Sequence, residues 1–162
     1  MRVVTASALI AALLAAAPAA ADDDRPKPPY YASILAGKAR MRTGPARAYP
    51  ASWLYQRADL PVRVVRVLKE WRQVEDPDGT TGWIQGNLLS GRRTAIVRGA
   101  QPVAMREQPS TGARLSWRAA PGVVGRLSRC ANGWCLFDVK GQAGYVQLGD
   151  QLWGVEAGET LP

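Results

Sequence analysis

Three sets of side chains in this chain have types and spacings that could do chemistry. They are the carboxylates Asp76 and Asp78, the thiols Cys130 and Cys135, and the rings Tyr49, Trp53 and Tyr55 set among Arg42, Arg47 and Arg57. A carboxylate pair can serve as acid and base in polymer hydrolysis. Here, however, it lies in Asp76-Pro77-Asp78-Gly79, a run in which aspartate is an ordinary turn residue. The chain holds no histidine. Its absence removes every Ser-His or Cys-His nucleophile and the usual zinc hydrolase centres. The expectation is therefore not an enzyme, and no residue set calls for a cofactor or a metal.

The thiols sit in Cys130-Ala131-Asn132-Gly133-Trp134-Cys135, with the hairpin signal Asn-Gly between them. In an oxidising compartment the leading reading is a cross-hairpin disulfide. A metal pair is the first rival, but it lacks further histidine or cysteine ligands. A redox dithiol is the second, and it prefers the Cys-x-x-Cys spacing. The aromatic loop suits a ligand bearing carboxylates, which rings stack on and guanidiniums grip through charge-assisted hydrogen bonds. The expected ligand-binding set is Arg42, Arg47, Tyr49, Trp53, Tyr55 and Trp71. The competing reading is that these rings, like Trp83, Trp134 and Trp153, pack the core or the contact between modules.

What positions these residues is a duplication. Ala39-Arg40-Met41-Arg42 corresponds to Val103-Ala104-Met105-Arg106, and Glu70-Trp71-Arg72-Gln73-Val74 to Gly133-Trp134-Cys135-Leu136-Phe137. Gly82-Trp83-Ile84-Gln85 corresponds to Gly144-Tyr145-Val146-Gln147, so the offsets run 64, 63 and 62 residues. A repeat that long is a small domain rather than a solenoid unit. Within each copy the valine-rich Pro61 to Leu68, Trp71 to Glu75 and Thr81 to Ile84, and then Val123 to Arg129, Trp134 to Asp138 and Gln142 to Val146, read as strands. Alternation slips between Val64 and Val65, which predicts a bulge. Ile34 to Met41 reads as one strand, Thr43 to about Asp59 as a long loop, and Arg93 to Val97 as the close of the first unit. Aligning Pro61 with Pro121 makes the second copy's cysteine hairpin the longer one.

Residues 1–21 have the layout of a secretory signal peptide: Met1-Arg2, an apolar run from Val3 to Ala17, and Ala19-Ala20-Ala21 before Asp22. The run is short for a bilayer span of about 20 residues. The expected order is a signal peptide at 1–21 and a Pro-rich linker at 22–31. A first module follows at 32–98, a second at 99–156, and a tail at 157–162. The net charge is +8. Residues 32–98 hold 12 basic and 5 acidic side chains against 6 and 5 in residues 99–162, which assigns the positive field to the first copy. Such a field draws anionic partners; the competing reading is that it serves solubility alone.

Met41-Arg42-Thr43-Gly44-Pro45, Trp71-Arg72-Gln73-Val74 followed by Gly79-x-x-Gly82-Trp83-Ile84, the cysteine hairpin and Leu152-Trp153-Gly154-Val155 together resemble the bacterial SH3-like domains of exported proteins. The resemblance covers residues 32–156. The second copy departs from it at Glu107-Gln108-Pro109, which lacks the glycine, and at Tyr145, which replaces tryptophan. The resemblance implies an all-β fold of two tandem small SH3-like β-barrels, each five-stranded, and a binding role commonly directed at cell-wall material. The resulting expectation is a secreted, periplasmic, non-catalytic module that recognises peptidoglycan or other anionic envelope material through its first barrel. The alternative is a periplasmic protein–protein adaptor. Nucleic acid is not an expected partner, and no transmembrane segment is expected after signal cleavage. A third possibility is that the Pro-rich arm occupies a groove of the protein itself.

Overall fold

The computed structural model describes residues 26–149 and 151–162. The expected signal peptide and the start of the Pro-rich arm lie outside the described residues. Among those described, the chain is built from strands and a single 3-10 turn, Gly86–Leu88. The first seven strands are β1 (Tyr30–Ile34), β2 (Ala39–Arg42), β3 (Ala51–Tyr55), β4 (Pro61–Leu68), β5 (Trp71–Glu75), β6 (Thr81–Gln85) and β7 (Leu89–Ser90). The next seven are β8 (Thr94–Val97), β9 (Val103–Arg106), β10 (Leu115–Ala119), β11 (Val124–Ala131), β12 (Trp134–Val139), β13 (Gln142–Gln147) and β14 (Leu152–Trp153). The two sheets run β3-β2-β6-β5-β4-β1-β7 and β10-β9-β13-β12-β11-β8-β14. One order is the other shifted by seven strands, so the duplication is structural as well as sequential. The fold class is the expected one, all-β with two tandem small barrels, but each sheet has seven strands rather than five, because the short β7 and β14 and the separate β1 and β8 join it.

Each barrel closes on its own core because its strands alternate with period two. Ile34, Met41, Val62, Val64, Val74 and Ile84 fill the first, and Val97, Met105, Leu127, Phe137 and Val146 the second. Glycines Gly82 and Gly144 occupy equivalent places where β6 and β13 cross Met41 and Met105. A Cβ on Gly82 would lie 2.9 Å from the Arg42 carbonyl oxygen, and one on Gly144 2.9 Å from the Met105 Cβ. The expected bulge in β4 is present, with pairing shifted between Val64 and Arg66. Asn132-Gly133 and Lys140-Gly141 all take positive φ, which matches the right-handed twist of a tight hairpin. The first of these turns brings Cys130 and Cys135 into a disulfide buried in the second core.

Several boundaries differ from the sequence reading. Ile34 to Met41 is two strands, with a bend at Ala36-Gly37 between them, and β3 lies inside what reads as a loop. Thr94–Val97 does not close the first unit. It pairs with β11 and β14 as β1 pairs with β4 and β7, so it is the first strand of the second barrel. Tyr30 and Tyr31, expected in the linker, belong to β1. The tail is also part of the second barrel: Leu161 bridges Cys130 and packs on its core. The cysteine hairpin is not the longer one, since β4 and β11 each have eight residues at a constant offset of 63. The extra residues of the second copy lie before β11, at Pro121 to Val123.

All four residues of β8 are buried because the strand is covered twice. Ala95 and Val97 face the second core, and the other side of the strand meets the first barrel near Pro61. Gly154 sits in this seam at φ +116°, where a Cβ would lie 3.0 Å from the Pro61 Cβ and 3.1 Å from the Ala95 Cα. The Leu-Trp-Gly-Val motif thus marks a contact between barrels. Beside it, Trp153 meets Tyr31 edge to face at 5.3 Å, and the Arg93 guanidinium lies 5.5 Å from the Tyr31 ring centre while paired with Glu159. Around the rim, Asp59 of the first barrel takes Arg92 at 2.8 Å and Arg126 at 4.0 Å, and Arg57 donates to the Gly122 carbonyl. Exposed pairs of this kind contribute about 0–1 kcal/mol each.

Candidate functional site

Strand β2 exposes one face and buries the other. Ala39 and Met41 point into the core, while Lys38, just before the strand, and Arg40 and Arg42 within it alternate outward as a row of cations. The row borders a concavity of about 470 Å³. Arg47 from the β2–β3 loop, Leu54 of β3, Trp71 of β5, Gln85 of β6 and Leu88 of the 3-10 turn complete its lining. Among the described residues, four cations and no carboxylate therefore line it, together with an indole and two leucines. Arg47, Trp71 and Gln85 also line a smaller concavity of about 310 Å³ that reaches Leu68, Lys69 and Glu70.

The loop that delivers Arg47 is held from the strand below. Arg42 donates through Nη1 to the Tyr49 carbonyl at 2.7 Å, across seven residues. Thr43 and Tyr49 donate to the Pro50 and Ala46 carbonyls inside the loop. The second copy repeats these bonds at an offset of 64, with Arg106 Nη1 on the Ala113 carbonyl at 2.7 Å. Arg42 is thus a loop clamp as well as a groove residue. The same loop explains the glycine that the second copy lacks. The Tyr49 ring lies on Gly44, where a Cβ would approach ring carbons to 2.5–2.6 Å. Ala113 stands at the place of Tyr49, the ring is gone, and Gln108 fits where Gly44 is required.

Of the six residues expected to bind, Arg42, Arg47 and Trp71 come together in this groove. Trp71 is only 4% exposed, so it offers an edge or a patch of its face. Tyr49 and Trp53 are exposed but lie outside the lining: Tyr49 covers Gly44, and Trp53 stands on edge strand β3. Tyr55 is a core residue. It is 5% exposed and donates its hydroxyl to Asp76 Oδ2 at 2.8 Å. Burial first, then that hydrogen bond, pushes its pKa far up and keeps the hydroxyl protonated. Asp76 is buried too, and its Oδ1 accepts the backbone N–H groups of Asp78 and Thr80 at 3.0 and 2.8 Å. The carboxylate organises the β5–β6 turn and ties it to β3, and Asp78 faces out to pair with Arg98. Sequence reasoning missed Lys38, Arg40, Leu54, Gln85 and Leu88. The signal for the first two was available: cations at every second residue across 38–42 mark the outer face of a strand whose inner face is Ala39 and Met41.

The assignment of the positive field also changes. With the division placed between the sheets, residues 30–91 hold 9 basic and 5 acidic side chains, and residues 92–162 likewise hold 9 and 5. The barrels carry equal charge, because Arg92, Arg93 and Arg98 belong to the second and engage carboxylates. What distinguishes the first barrel is a local concentration of cations in its groove.

Among the described residues no helix is long and apolar enough to cross a membrane. No curated protein matches the chain. Solved structures with similarity include NlpC2 and NlpC1 from Trichomonas vaginalis, each at TM-score 0.35 and 12% identity, covering 77% and 80% of this chain and 48% and 47% of theirs. An NlpC/P60 family protein from Bacillus cereus ATCC 10987 matches at TM-score 0.34 and 12% identity, over 76% of this chain and 55% of its own. The chain thus spans about half the length of these proteins. The family model described as bacterial SH3 domain matches residues 36–91 and 99–154, one match in each barrel and together most of the chain. The curled sheets, the paired grooves and this double match agree: the chain belongs to the bacterial SH3 domain family.

Proposed function

We propose that the protein is a non-catalytic binding module of the cell envelope, and that the first barrel's groove grips an anionic ligand such as the carboxylates of peptidoglycan stem peptides. Bacterial SH3 domains are binding modules, and this one has an open groove suited to the task. The observation that carries the reading is the row Lys38, Arg40 and Arg42, joined by Arg47, around Trp71 with no carboxylate among the described residues of the lining. Paired carboxylates meet forked guanidiniums there, and the apolar part of a peptide meets the indole and leucines. The buried disulfide fits an oxidising compartment, in line with a periplasmic location.

The test is cosedimentation of the protein with isolated sacculi at low and high salt. Retention should fall as ionic strength screens the groove and should weaken further when Lys38 and Arg40 are made neutral. Absence of retention by the wild type at low salt would refute the target, and retention indifferent to both changes would refute the groove. The adaptor reading has one observation of its own. Trp53 and Trp117, equivalent residues on edge strands β3 and β10, are 57% and 45% exposed, and exposed indoles are common anchors of protein interfaces.

A further inference from the structure

The groove of the first barrel has a counterpart in the second, aligned residue by residue. A concavity of about 410 Å³ is bordered by Pro102, Ala104, Arg106, Thr111, Trp134 and Gln147, among others. These stand where Lys38, Arg40, Arg42, Arg47, Trp71 and Gln85 stand in the first, at the offsets of the duplication. The arginine clamp, the tryptophan and the glutamine are kept. Three of the four cations are replaced by proline, alanine and threonine.

We propose that this second groove binds an uncharged saccharide segment laid against Trp134. Among the described residues of the lining the one guanidinium, Arg106, already spends Nη1 on the Ala113 carbonyl, so an anion finds little there to hold it. The indole differs in the other direction: Trp71 is buried, whereas Trp134 is only half-buried. Around it stand the exposed hydroxyl of Thr111 and the exposed amides of Gln147 and Gln151. These groups donate and accept hydrogen bonds without net charge. Sugar hydroxyls both donate and accept, and the C–H face of a pyranose is a flat apolar surface for an indole. A wholly apolar ligand would leave the amides unpaired at a cost. The protein thus offers one groove lined by four cations and another whose described lining holds one.

The test is an NMR titration of the complete chain with two neutral probes, a chito-oligosaccharide and a cello-oligosaccharide. At least one should perturb the Trp134 indole N–H, with a dissociation constant that salt does not move. Gln147→Ala and Thr111→Val change exposed side chains and keep the fold; each should weaken binding about three- to tenfold, the worth of one hydrogen bond. Lys38→Gln with Arg40→Gln should leave saccharide binding unchanged while weakening an acidic peptide, so the two grooves fail separately. Absence of binding by both probes at millimolar concentration would overturn the proposal. So would wild-type affinity in both folded variants, or loss of saccharide binding with the first barrel's cations.

Discussion

Neutralising two cations of the first groove, Lys38→Gln with Arg40→Gln, isolates local charge from net charge. Both side chains are exposed and end on no partner among the described residues, so stability should stay within about 0.5 kcal/mol of wild type. Two unit charges about 4 Å apart in a water-like dielectric attract by about 1 kcal/mol. Losing two such contacts with a dicarboxylate peptide then costs about 2 kcal/mol, or roughly thirtyfold in affinity at low salt. The gap should narrow as salt is raised, because screening acts over about 10 Å at 0.1 M and about 3 Å at 1 M. The control is Arg114→Gln with Arg118→Gln, an equal change in net charge on exposed positions of the other barrel. Isothermal titration of a short peptide with two carboxylates reads all three proteins. If both double variants weaken binding equally, the overall field and not the groove attracts the ligand. If neither does, the cation row is an ordinary solvated strand face.

Tyr55→Phe removes the hydroxyl from Asp76 Oδ2 inside the fold and should cost about 1.5–3 kcal/mol in urea unfolding, with no loss of anion affinity; lost affinity at unchanged stability would return Tyr55 to the binding set. Cys130→Ala with Cys135→Ala opens a loop with a sequence separation of 5, and loop-closure entropy sets the loss at about 2 kcal/mol before any cavity term, read as a lower denaturation midpoint that reduction of the wild type reproduces. Gly44→Ala should destabilise the wild type by about 1–3 kcal/mol through the Tyr49 ring and should be nearly neutral in a Tyr49→Ala background, a coupling that a double-mutant cycle measures. Burial opposes ionisation of Glu159, but the Arg93 hydrogen bond overrides it and holds the carboxyl below its ordinary range. The pair's contribution is therefore complete above the unfolded glutamate value of about 4.3 and is lost as pH falls through the lower folded one. Thermal melts of wild type and Glu159→Gln should converge at acid pH, and a constant gap would refute the pairing.

Turn chemistry and period-two burial made most of the fold legible before any coordinates. Asn132-Gly133, Lys140-Gly141 and Asp76 to Gly79 each dictate a local backbone path, and the valines of β4 announce both a strand and its bulge. What escaped were features that no local pattern encodes. Strand β3 is exposed at four of its five residues, so it carries no alternating signal. Tyr55 looks like one ring among three until the β5–β6 turn, twenty-one residues later, places Asp76 against its hydroxyl.

The most instructive miss is Thr94–Val97, because one misplaced strand altered a functional inference. The strand follows the first repeat along the chain, and its sequence shares with β1 little more than an inward alanine and an inward aliphatic, Ala32 and Ile34 against Ala95 and Val97. Its burial on both faces, with one side toward the first barrel, removes the alternation that would have revealed its allegiance. Counting its flanking arginines with the first barrel produced a charge imbalance that the sheets do not possess. Yet two of those arginines bridge to the first barrel, Arg92 to Asp59 and Arg98 to Asp78, and Arg93 ties the tail to the seam through Glu159. They are fasteners rather than bait. Among the described residues, the β2 alternation and the clamped loop set four cations in one groove and one in its counterpart. Charge summed over a module thus says little about recognition. The sign and number of side chains that one strand face and one loop bring to the same few hundred cubic ångströms are what a ligand meets, and by that measure the duplicated barrels have diverged.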